Sequence, residues 1–107
     1  MWLFTSTGFV SVVADKEEPV HGDLLVRSRE KQHIESLFPD AEVFSTQPSD
    51  YQWRAWVSRS EVACALVKQV ENLSYTNFKN SIVHYEDDRY HEACMNVWGV
   101  MYSSFSD

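Results

Sequence analysis

Through the first half of the chain, apolar residues come in short β-branched or alternating runs; through the second half they recur at spacings of three and four. The first pattern predicts strands and the second predicts helices. Trp2-Leu3-Phe4 is a short strand, turned by Thr5-Ser6-Thr7-Gly8. Phe9 to Ala14 is a second strand, rich in valine. Asp15 to Gly22 is a charged loop holding Pro19 and Gly22, the segment expected to move most. A third strand spans Leu24 to Arg29. Leu24, Val26 and Ser28 share one of its faces; Leu25, Arg27 and Arg29 share the other.

Glu30 to Phe38 is a short helix with Ile34, Leu37 and Phe38 on one side, and Pro39 stops it. Ala41 to Thr46 is a fourth strand, turned at Gln47-Pro48-Ser49-Asp50. Tyr51 to Val57 alternates cleanly. Tyr51, Trp53, Ala55 and Val57 point one way, and Gln52, Arg54 and Trp56 point the other. Ser58 then caps a helix, with Glu61 three residues on as in a capping box. That helix is expected to run to Leu73 on a stripe of Val62, Leu66, Val70 and Leu73. A short helix capped by Thr76 follows to Val83, and a last helix spans Asp88 to Ser103.

Strands therefore come first and helices last, which predicts an α+β fold over one domain, residues 1–107. The expected architecture is an antiparallel sheet of four to five strands with helices on one face and further helices at the C-terminal end. Without the first short strand the order is ββαββα, a cyclic shift of the ferredoxin-like order βαββαβ.

Composition sharpens this picture. The chain has 107 residues, 44% hydrophobic and 14% aromatic, enough to build a core. With 16 acidic and 9 basic residues its net charge is -7. That balance disfavours direct nucleic-acid binding, which needs a basic surface. The opening MWLFTSTGFVSVVAD is apolar but lacks a basic leader, and no apolar run approaches the about 20 residues that span a bilayer. A cytoplasmic protein with no membrane attachment is expected, with Cys64 and Cys94 as reduced core residues.

Three stretches could carry chemistry. His84 to Cys94, HYEDDRYHEAC, concentrates two histidines, a cysteine and four carboxylates. His91 and Cys94 are helical neighbours, so metal ligation is conceivable. The helix pattern favours another origin. Tyr90, Cys94, Val97 and Met101 form a stripe expected to be buried, opposite Glu92, Asn96, Gly99 and Ser103, while Asp87 or Asp88 suits an N-cap. No metal, cofactor or catalytic residue is assigned here. Trp98 and Tyr102 flank the stripe and are expected to pack on the fold. SYTNFKNS, Ser74 to Ser81, places Tyr75, Asn77 and Lys79 at a helix junction, either a small binding site or a plain turn. Arg27, Arg29, Arg54 and Trp56 gather on one sheet face. They suit an anionic or protein ligand, or else internal pairing with Glu17 or Glu42. GxSxG, P-loop and GxGxxG motifs are absent, so an enzyme is unsupported.

MWLFTSTGFVSVV, DYQWRAWVSR, SYTNFKNSI and DRYHEACMNVWGVMY resemble stretches of a family of small bacterial proteins of unassigned function. The resemblance covers most of the chain, implies a bacterial or phage-borne cytosolic protein, and transfers no activity. Two functions are compatible with these observations. One is a non-catalytic protein-binding or regulatory module. The other is a small acidic inhibitor of a nucleic-acid-binding complex, of the anti-CRISPR or nucleic-acid-mimic type. The spread of the acids along the chain weighs against a mimic.

Overall fold

A computed structural model describes residues 1–106. The fold is α+β, an open five-stranded antiparallel sheet with four helices. The strands are β1 (Trp2–Thr5), β2 (Gly8–Ala14), β3 (Leu24–Ser28), β4 (Phe44–Ser45) and β5 (Trp53–Val57). The helices are α1 (Lys31–Leu37), α2 (Arg59–Glu71), α3 (Phe78–Ser81) and α4 (Arg89–Phe105). Neighbour order in the sheet is β1-β2-β3-β5-β4.

The register follows from period-two alternation. Val12 pairs with Val26 and Val26 with Ala55, so the apolar halves of three strands share one face. That face carries Leu3, Val10, Val12, Val26, Ala55 and Val57, and Ile34 and Leu37 of α1 and Phe38 just after it cover it together with Val62 of α2. Pro39 ends α1 because it excludes the helical conformation at Phe38, which sits at φ -131°, ψ 73°. At the start of α2, Ser58 Oγ accepts the Glu61 N–H at 3.2 Å, as the capping pattern predicts.

Several boundaries differ from the sequence-based expectation. Only Phe44 and Ser45 of the fourth strand enter the ladder, because Ala41 and Val43 pack against the core instead. The helix expected from Thr76 to Val83 contracts to Phe78–Ser81 and begins at Asn77 without a side-chain cap. The α2 stripe buries Val62 and half-buries Leu66, but Val70 and Leu73 are exposed. The loop from Asp15 to Gly22 meets the start of α2: Arg59 donates to Gly22 O at 3.0 Å and to Pro19 O at 2.9 Å.

The C-terminal helices attach to the turn between β1 and β2. Tyr90 donates to Thr5 O at 2.6 Å, Val83 N–H donates to Ser6 O at 2.8 Å, and Tyr85 donates to Thr7 O. A second small core forms beneath these bonds from Ile82, Tyr90 and Cys94, with Phe9 and Phe78 against it. The same turn abuts α1. Gly8 has φ +156°, and a Cβ there would stand 2.6 Å from His33 Cβ. Gly8→Ala therefore combines an unfavourable backbone angle with overpacking. It should destabilise the protein by about 1–3 kcal/mol or more, read as a drop of several degrees in melting temperature. An unchanged melting point would disprove the close approach.

Candidate functional site

The sheet face opposite α1 and α2 carries Arg27, Arg54 and Trp56, as the alternation predicts. Arg27 is paired directly with Arg54, and Leu25 with Trp56. Such like-charged cross-strand partners are unfavourable unless each is engaged elsewhere. Both are. Arg27 donates to Ser11 Oγ at 2.8 Å, and its stem covers that buried serine. Arg54 donates to Ser49 Oγ at 2.9 Å and Tyr51 O at 3.3 Å, with Asp50 4.0 Å away. Arg54 is thus the clamp of the loop before β5.

Tyr51 departs from its expected face. The ladder ends at the Ser28–Trp53 pair, so residues before Trp53 are free of the alternation. Ser49 and Asp50 accept the Tyr51 N–H. The Tyr51 ring sits on the arginine side, 6% exposed. The guanidinium carbons of Arg27 and Arg29 lie 4.6 and 4.4 Å from its centre, within cation–π range. Neither Arg27 nor Arg29 has a carboxylate partner among the described residues, so pairing with Glu17 or Glu42 does not occur. Arg27 Nε is buried with no hydrogen-bond partner. Arg29 is exposed, and Trp56 is 48% exposed. Residues 25 and 29 of a strand are separated by about 13 Å, which sets the distance from the Trp56 end of the surface to the Arg29 end.

At the Arg29 end the surface opens into a cleft of about 840 Å³. Trp2, Phe4 and Phe9 of the hairpin line it, with Arg29, Lys31, Tyr51 and Trp53, with Tyr90, Ala93 and Val97 of α4, and with the carboxylates of Glu30, Glu35, Glu86 and Asp87. Phe4 and Phe9 are cross-strand partners whose rings stack at 4.5 Å; Trp2 meets Phe9 edge-on at 6.0 Å. The cleft escaped the sequence analysis although part of it was legible. Trp2 and Phe4 share a face by period two, and a tight turn brings Phe9 opposite Phe4. The contribution of α4 had no local signal.

His33 lies in the cleft wall, where its Nδ1 accepts the Phe9 N–H at 3.2 Å. A protonated imidazole has no lone pair for that bond, so the neutral ring with its proton on Nε2 fits. Burial lowers its pKa, the nearby Glu30 carboxylate opposing.

The histidine-rich stretch resolves into a helix start. Asp87 accepts the Arg89 N–H at 3.0 Å, and this bond above all holds its carboxyl below the usual range. Asp88, the N-cap by position, instead shares a 2.7 Å hydrogen bond with His84. Arg89 bridges Asp87 at 2.9 Å and Glu30 at 3.0 Å, tying the starts of α4 and α1 together. Cys94 is buried, and burial raises its pKa, whereas Cys64, expected in the core, lies exposed on the outer side of α2. Among the described residues no three His, Cys, Asp or Glu side chains converge on a metal position. Tyr75, Asn77 and Lys79 do not join the arginine surface. Tyr75 packs edge-on against Phe78, while Asn77 and Lys79 border a separate recess beside Cys94, Met95 and Trp98. Among the described residues no helix is long and apolar enough to cross a membrane.

No protein-family model, curated protein or solved structure matches this chain.

The His33 geometry has a pH consequence. Its folded pKa lies below the ordinary value of 6.5, so protons bind the unfolded chain more readily. The stabilising contribution is complete above that value and is lost as pH falls below it towards the folded pKa. The melting temperature should decline between about pH 7 and pH 5.5, before carboxylates titrate. His33→Asn keeps an acceptor for Phe9 N–H without a titrating ring and should flatten that decline. Parallel profiles for parent and variant would disprove the assignment.

Proposed function

We propose that this protein is a small, non-catalytic protein-binding or regulatory module of the bacterial cytosol. Its arginine–aromatic sheet face receives an acidic segment of a protein partner, with the aromatic side chains of the adjoining cleft as apolar anchors. The observation that carries this reading is the pair of guanidinium groups on Tyr51. In a chain of net charge -7, Arg27 and Arg29 form no ion pair among the described residues and rest on an aromatic ring. Arg29, held this way and exposed, keeps its edge free for a carboxylate, bidentate where geometry allows. Trp56 at one end and the cleft aromatics at the other offer the apolar anchors that interfaces favour.

The three arginines divide the work. Arg27 and Arg54 are committed to Ser11 and to the loop before β5, whereas Arg29 is exposed and makes no hydrogen bond among the described residues. Arg29 and Trp56 are accordingly the contact residues, and Tyr75, Asn77 and Lys79 are peripheral to this surface. The sheet itself we read as a cyclically shifted ferredoxin-like arrangement. β3 and β4 are joined through α1 yet separated by β5, as in a split βαβ unit.

The test is capture from a bacterial lysate with parent, Arg29→Glu and Trp56→Ala proteins. Both side chains are exposed and free of hydrogen bonds, so each variant should melt within a few degrees of the parent. Arg29→Glu should weaken capture of any partner bound through this face by about 10-fold or more, equivalent to 1.4 kcal/mol. It should also reduce the salt dependence of binding. Partners retained equally by both folded variants would place the interaction elsewhere and refute the proposal.

A further inference from the structure

Tyr90, Cys94, Val97, Met101 and Phe105 follow one another along α4 at spacings of four, three, four and four, and so form one stripe. The chain covers only its beginning. Tyr90 and Cys94 are buried, whereas Val97, Met101 and Phe105 are 40%, 54% and 79% exposed. Trp98 and Tyr102, expected to pack on the fold, are each 64% exposed and stack on one another at 5.4 Å. The expectation fails because no other element covers this part of α4: among the described residues none after Cys94 is buried. The exposed apolar side chains from Val97 to Phe105 sweep about 200° of the helix circumference, at 3.6 residues per turn.

This half of α4 is a poor helix by itself. It contains Asn96, Gly99, Ser103 and Ser104, with valines and aromatics between them, residues of modest helix propensity. A helix of this length is marginal in water without tertiary contact. Among the described residues nothing supplies that contact.

We propose that the second half of α4 pairs with the same surface of a second copy of this chain, about a two-fold axis. Charge selects this occupant. From Ala93 to Ser106 no residue is charged. Two copies, each of net charge -7, can therefore meet here without opposing their acids, and a partner chosen by opposite charge would find nothing to pair with. A lipid surface is disfavoured because interfacial helices carry lysine or arginine on the polar face, and this one carries neither. The area is of the right order. The exposed parts of Trp98, Tyr102 and Phe105 amount to roughly 400 Å². With Val97, Val100 and Met101 the patch approaches the ~800 Å² that each partner brings to a standard interface.

Sedimentation equilibrium of the full chain tests this, at concentrations about 100-fold above a micromolar dissociation constant. The parent should have twice the chain mass. Met101→Glu combined with Phe105→Glu should raise the dissociation constant at least about 100-fold, because four carboxylates would then meet in the interface. The parent alone decides the matter if that variant does not fold: a native dimer melts higher as its concentration rises, and a monomer does not. A monomeric parent with a concentration-independent melting point overturns the proposal, as does a folded double variant that remains dimeric. A monomeric parent that floats with phosphatidylcholine vesicles overturns it too, and gives the face to lipid.

Discussion

The close approach of Gly8 to His33 is the constraint on which the remaining structure depends. It lets the β1–β2 turn sit against α1, with Phe9 N–H donating into the imidazole. Once seated, the turn presents three successive backbone acceptors, Thr5 O, Ser6 O and Thr7 O, to the C-terminal segment. Ser6 Oγ adds a 2.7 Å hydrogen bond to Ser81 Oγ. The first residues of the chain thus hold the last helix. Burial raises the Tyr90 pKa strongly, with its contact to Cys94 next in effect, so Tyr90 stays a phenol able to donate to Thr5 O.

This attachment is narrow. The main core spans three strands and two helices, while the second core has three buried residues, with Phe9 and Phe78 partly buried against it. Hydrogen bonds contribute only about 0.5–1.5 kcal/mol each in net terms. The C-terminal unit is therefore the part of the fold with least of its own stability, and local opening begins in such parts. Pairing of α4 with a second copy would act directly on this weak point. It would also add a neighbour beside the cleft, because Val97 belongs both to the cleft wall and to the uncovered stripe.

The arginine face obeys a different logic. Two like charges placed opposite each other on adjacent strands need separate partners: Arg27 has a serine and a ring, and Arg54 has the loop before β5 with Asp50 in it. Hydrophobic stems shield the sheet where no helix does, which keeps it from being a bare apolar surface. What that arrangement leaves uncommitted is Arg29 and Trp56, both exposed.

The sequence by itself determined what depends on near neighbours. Alternation in Leu24–Arg29 and Trp53–Val57 placed Arg27, Arg54 and Trp56 on one face, because side chains on a strand alternate whatever surrounds them. Ser58 and Glu61 marked the start of α2, and Pro39 the end of α1, because capping and proline sterics act within a few residues. Tertiary structure alone decided the rest. Tyr51 crossed to the arginine side because the ladder stops at Trp53 and loop hydrogen bonds take over. Ala41 and Val43 left the predicted fourth strand for the core. The α4 stripe was correctly located, yet only Tyr90 and Cys94 of it are buried, because periodicity identifies an apolar face without saying how far another element extends to cover it.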